Sequence, residues 1–169
     1  MGDYSLKDDI FSEIYITYFP YVYRYLYGLT YHNQIAEDLT QDTFIKAFSI
    51  LQAPNENIKS WLLVVAHNHY VDYVKKNRRL VFREESLFDR IKTKDFTDQL
   101  ILNESTGSAF GLIKRLPEKQ RQVILLCLVN EVSYQQAGVI LGISVSAVTN
   151  LIYRARKTLR DLRRQTDEQ

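Results

Sequence analysis

The three residues Gly142-Ile143-Ser144 constrain this chain most, because they join two helical patterns with room for nothing but a turn. The first pattern, "SYQQAGVIL", opens with a capping signal: Ser133 can accept the orphan amide of Gln136, and Gln136 can reach back to the Ser133 amide. Gly142 supplies the left-handed conformation that ends a helix, and Ser144 can cap the next one. Two helices joined so tightly make a helix-turn-helix, spanning Tyr134 to Tyr153. Gly138 lies inside the first helix, where it costs about 1 kcal/mol relative to Ala, and a close helix crossing is the expected reason.

The second helix divides into two faces at roughly 100° per residue. Val148, Leu151, Ile152, Ala155, Leu159 and Leu162 form the stripe that must be core. Ser144 caps the opposite face, which carries Ser146, Thr149, Asn150, Tyr153, Lys157 and Arg160, with Arg154 at its edge. Short hydrogen-bonding groups come first and cations later. That order suits a recognition helix whose first turns reach base edges while its later cations hold phosphates.

The net charge is only +2, but it is unevenly spread. Asp3, Asp8, Asp9, Glu13, Glu37, Asp38 and Asp42 face only Lys7, Arg24 and Lys46 across the stretch from Asp3 to Phe48. Lys75 to Arg83 and Arg154 to Arg164 are instead sharply basic, as two contacts with one long polyanion require. Cys127 stands alone in "VILLCLV" and reads as a small buried hydrophobe. No stretch approaches the roughly 20 apolar residues of a membrane span, and the polar, acidic start is unlike a signal peptide, so a soluble intracellular protein is expected.

Helical periodicity runs throughout, and nothing alternates long enough for a strand. The pattern predicts helices from about Leu6 to Phe19, from Pro20 through Leu29, from about Gln34 to Leu51, and from Ile58 to about Lys76. The highly charged stretch from Arg79 to Asn103 reads as a linker with one helical turn, after which helices resume at Glu104, with Pro117 at the first position of the second.

Two of these helices carry more than core residues. In "AEDLTQDTFIKAF", Ile35, Leu39, Phe44 and Phe48 can face inward while Glu37, Asp38, Gln41 and Asp42 gather on a polar surface. That surface is either simply solvated or turned toward a basic protein partner. In "SWLLVVAHNHYVDYVKKNRR", Asn68, His69, Tyr70 and Tyr73 adjoin Lys75, Lys76, Arg78 and Arg79. Rings beside cations suit single-stranded DNA, which stacks its bases and runs its backbone past the charges. A tyrosine-rich core with a basic helix end fits the same residues. His67 and His69 point to different faces of a helix and lack a third ligand, so no metal is expected. No phosphate loop, nucleophile elbow or triad is present, so neither enzymatic activity nor a cofactor is expected.

Taken in order, these motifs resemble bacterial sigma factors of the extracytoplasmic-function type, within the sigma-70 family, over nearly the whole chain. "AEDLTQDTFIKAF" looks like that family's core-polymerase-binding helix, and "SWLLVVAHNHYVDYVKKNRR" like its −10 recognition helix. "LPEKQRQVILLCLVNEVSYQQAGVILGISVSAVTNLIYRARKTLR" resembles its −35-binding domain. The resemblance implies an all-α fold of two small helical domains joined by a flexible linker, the second a four-helix domain with the helix-turn-helix. Its boundaries would be 1–78, 79–103 and 104–169.

The resemblance makes Asp38, Gln41, Asp42, Thr43 and Phe44 the polymerase contact. It sets Asn68 and the loop Gln52 to Asn57 around a flipped −10 base, with Lys75, Lys76, Arg78 and Arg79 along the backbone. The family often has Lys or Arg where Thr149 stands and Arg where Leu151 stands, so the −35 sequence is not transferable. The implied partners are core RNA polymerase, promoter DNA and an anti-sigma factor, often membrane-anchored, with no small-molecule substrate. The implied place is the bacterial cytoplasm, near the membrane where such a factor holds it. The competing reading is a stand-alone helix-turn-helix regulator with an N-terminal sensor or dimerisation domain. An acidic helix beside an aromatic, basic one has no purpose there.

Overall fold

The computed structural model describes residues 2–51, 56–84 and 104–168, and all regular structure among them is helical. Helix α1 spans Gly2–Thr30, α2 Asn33–Ile50 and α3 Ile58–Glu84. Helix α4 spans Glu104–Lys114, α5 Glu118–Ile124, α6 Tyr134–Leu141 and α7 Val145–Asp167. Between α5 and α6 the chain runs through a π-helical turn, Leu125–Val129.

Pro20 does not divide α1, contrary to the periodicity reading. Its ring removes one backbone donor, but side chains four apart keep the helix packed across it. Tyr15, Phe19, Tyr23, Tyr27 and Tyr31 form a ladder with successive ring centroids 5.2, 5.8, 6.0 and 5.6 Å apart. On the inward side Ile14, Val22, Tyr25, Leu26 and Leu29 are buried. Helix α2 begins where His32 Nδ1 accepts from the Ile35 amide at 3.3 Å, and lies on α1 with Phe11 stacked on Phe48 and Tyr15 against Phe44. Helix α3 runs to Glu84, beyond the expected start of the linker; the rest of that stretch, with its expected helical turn, lies outside the described residues.

In the C-terminal half the turn forms as its residues dictate. Ser133 Oγ accepts from the Gln136 amide and Ser144 Oγ from the Ala147 amide, both at 3.1 Å. Gly142 adopts φ 66°, and the Ile143 amide donates back to the Gly138 carbonyl at 3.0 Å. The chain bends by 103° between α6 and α7, within the range of a helix-turn-helix. Two details differ from the sequence reading. The neighbour that requires Gly138 is the turn itself, since a β-carbon there would lie 2.8 Å from the Ile143 carbonyl oxygen. Gln136 leaves the capping box half-made, and its Nε2 donates instead to Asn57 Oδ1 at 3.5 Å. Pro117 precedes α5 as its N-cap rather than opening it, with an extended ψ of 146°.

The halves share one buried core. Helix α3 packs on α6, and α1 packs on α5 and the π turn. No single helix among the described residues is long and apolar enough to cross a membrane.

Candidate nucleic-acid interface and acidic surface

Helix α7 presents the face expected of it. Val148, Ile152 and Ala155 are buried, while Ser144, Ser146, Thr149, Asn150, Tyr153, Arg154, Lys157 and Arg160 are all exposed. Thr149 Oγ1 donates to the Val145 carbonyl at 2.9 Å, which leaves its methyl outward and fixes its rotamer. Tyr153, 68% exposed, stands out from a helix that has no packing use for it. Beside Asn150 and Arg154 a cleft opens toward Lys119 and Gln122 of α5, floored by Leu141, Ile143, Ala147 and Leu151. Sequence reasoning missed Lys119: it is distant in the chain, and only the crossing of α5 and α7 brings its charge to this face.

Helix α3 is divided. Asn68, Lys75, Lys76 and Arg78 are exposed, and His69 and Tyr73 are half-buried. The side chain of Arg79 and the loop residues 52–55 lie outside the described set. Tyr70 departs from the expectation of a DNA contact: it is buried, and its hydroxyl donates to Glu118 Oε1 at 3.1 Å. Burial, and then the Glu118 carboxylate, push its phenol well above the ordinary 10.0. His67 faces the core, where its Nδ1 lies 2.8 Å from the Tyr25 hydroxyl. Burial lowers its pKa below the ordinary 6.5, and Glu118 partly opposes the shift. A buried imidazole is most cheaply neutral, so Tyr25 donates and His67 Nδ1 accepts.

On α2, Asp38, Gln41 and Asp42 are exposed and form an acidic surface. Gln34 Nε2 holds Asp38 Oδ1 at 2.9 Å, and Gln41 Nε2 reaches Glu37 Oε1 at 3.5 Å. Thr43 and Phe44 are not part of that surface. Thr43 is fully buried, with Oγ1 donating to the Leu39 carbonyl at 2.7 Å. Phe44 is 2% exposed, with ring centroids 4.9 Å from Tyr15 and 5.7 Å from Phe48. Ile45, 68% exposed, lies on the acidic face one turn beyond Gln41 and Asp42. Its signal in the sequence was an apolar residue in phase with three polar ones.

Similarity to known proteins follows the same division. The pattern described as Sigma-70 region 2 matches residues 2–80, which hold the acidic surface and α3. That described as Sigma-70, region 4 matches residues 111–159, which hold the helix-turn-helix. The chain is 30% identical over 152 residues to the ECF RNA polymerase sigma factor SigM of Bacillus subtilis, covering 89% of this chain and 93% of the relative. Its fold resembles that of the sigma factor RpoE from Bartonella quintana, solved with the anti-sigma factor NepR, at TM-score 0.68 and 23% identity over 91% of this chain and 96% of that one. It also resembles CnrH, solved with the cytosolic domain of CnrY, at TM-score 0.62 and 21% identity over 92% and 88% of the two chains. A regulator with an unrelated sensor half leaves the region 2 match unexplained. Both halves, in this order and with these faces, place the chain in the sigma-70 family as an RNA polymerase sigma factor of the extracytoplasmic-function type.

Proposed function

We propose that this sigma factor divides its work among three faces. The acidic surface of α2, through Asp38, Gln41 and Asp42, meets basic residues of core RNA polymerase. The exposed edge of α3, with Asn68, Lys75, Lys76 and Arg78, takes up the −10 strand as it melts, alongside His69 and Tyr73. The outer face of α7 reads the −35 element, with Ser146, Thr149 and Asn150 toward base edges and Lys157 and Arg160 on phosphates. The chain binds and positions; it performs no catalysis of its own. It works in the bacterial cytoplasm, where its polymerase is. The observation that carries this reading is the segregation of charge: one acidic face on α2 and two basic ones on α3 and α7.

An anti-sigma factor is the further partner. Both sigma factors named above were solved with another chain, NepR described as an anti-sigma factor and CnrY through its cytosolic domain. The deciding experiment is run-off transcription with core polymerase and a genomic promoter library. Enrichment of a common −10/−35 pair is expected, whereas tight, site-specific binding by an isolated homodimer would point to a regulator.

A further inference from the structure

The boundary between the halves decides what α3 can touch. Tyr70 is turned away from solvent, and its partner Glu118 also accepts from Gln122 Nε2 at 3.3 Å, which aims the carboxylate. At a second point the Tyr31 hydroxyl donates to the Phe110 carbonyl at 2.9 Å, with Lys114 and Arg121 over its ring at 5.4 and 5.9 Å. At a third, Gln136 of the helix-turn-helix reaches Asn57 at the start of α3. The centre is a knob in a socket: Leu125 is fully buried against Gly28, where a β-carbon would lie 2.3 Å from Leu125 Cδ2. A nucleobase cannot stack on a ring so covered, and Glu118 would repel the phosphate that came with it.

We propose that this boundary is an autoinhibitory contact: in the closed chain the C-terminal half occupies the part of α3 around Tyr70 that receives the −10 single strand. Parting of Leu125 from Gly28 releases it. The proposal rests on the reading of α3 as the −10 helix. A chain in two states binds through its open fraction alone, so a change that opens it raises the apparent affinity by the reciprocal of that fraction at most.

Full-length protein tests this with Gly28→Ala, which wedges the socket, and with Gly28→Ala/Leu125→Ala, which clears it again. The readouts are the radius of gyration by small-angle scattering and binding of a labelled single-stranded oligonucleotide carrying the −10 sequence found by run-off transcription. Gly28→Ala should expand the protein and tighten binding about tenfold, or ~1.4 kcal/mol. The double variant should return both toward wild type. If Gly28→Ala loses helicity by circular dichroism, Tyr70→Phe decides: it keeps the ring and removes only the bond to Glu118. A gain of about two- to tenfold is expected, the worth of one hydrogen bond. Expansion without tighter binding, or wild-type affinity in a folded Tyr70→Phe, overturns autoinhibition. Wild-type holoenzyme that fails to bind the oligonucleotide would instead overturn the assignment of α3.

Discussion

Helices α3 and α7 are both proposed to touch DNA, yet only α7 is ready to do so. Every reading position on α7 is exposed, because local signals build that helix: two serine caps, a left-handed glycine and an apolar stripe on one side alone. Helix α3 has Leu62, Leu63, Ala66, His67 and Tyr70 all buried, because it packs between the N-terminal helices and α6. A helix with one packed side can carry its ligand face independently. A helix packed on two sides exposes a ligand face only where its neighbours allow.

The largest break in this comparison comes from removing polymerase. Charge reversal at Asp38 and Asp42 together should abolish co-purification with core polymerase, and with it the use of α3. Duplex −35 binding by α7 should survive. Normal pull-down of polymerase by a folded double variant would mean that the contact surface lies elsewhere.

Next in size is Phe44→Ala. Because Phe44 is core, it should cost about 3–5 kcal/mol of stability, read by urea denaturation. A folded Phe44→Ala protein of near-native stability that cannot bind polymerase would restore this residue to the contact surface.

Within α7, Asn150→Ala should relax preference at particular −35 positions by about 1–3 kcal/mol if its contact is bidentate. Lys157→Ala should weaken all sequences alike and lower the salt dependence by about one counterion. A salt titration against single-base −35 variants separates them; the opposite pattern would mean that α7 docks the other way round.

The smallest effect is the pH response of α3. The folded pKa of His67 lies below its ordinary 6.5, so the unfolded chain binds this proton more readily. Its share of stability is therefore fully present above about pH 6.5 and is lost as pH falls through the lower folded value. Thermal melts of His67→Gln should show a shallower loss over that window than wild type. Parallel curves would mean that the imidazole stays neutral or protonated in both states.

Legibility in the sequence followed the same contrast. The turn at Gly142 and both serine caps could be read because a few adjacent residues decide them. The inward turn of Phe44 was legible from helical spacing, while the polymerase role attached to it by resemblance was not supported by burial. Pro20 misled because a rule about one residue was outweighed by a ladder of five rings. Tyr70 and Lys119 were out of reach for another reason: their surroundings come from residues some 48 and 35 positions away, Glu118 and Arg154, and no local pattern encodes such pairings.

The π turn at Leu125–Val129 makes the chain's length matter at one point more than anywhere else. Such a turn is an α-helix carrying one surplus residue, so it is the natural place for a deletion to be absorbed. Losing that residue would leave a regular helix and rotate all that follows by roughly 100° about the axis of α5. The angular phase between the two DNA-facing helices is thus set by a single residue count, and insertions or deletions there would retune promoter geometry without altering any group that touches DNA.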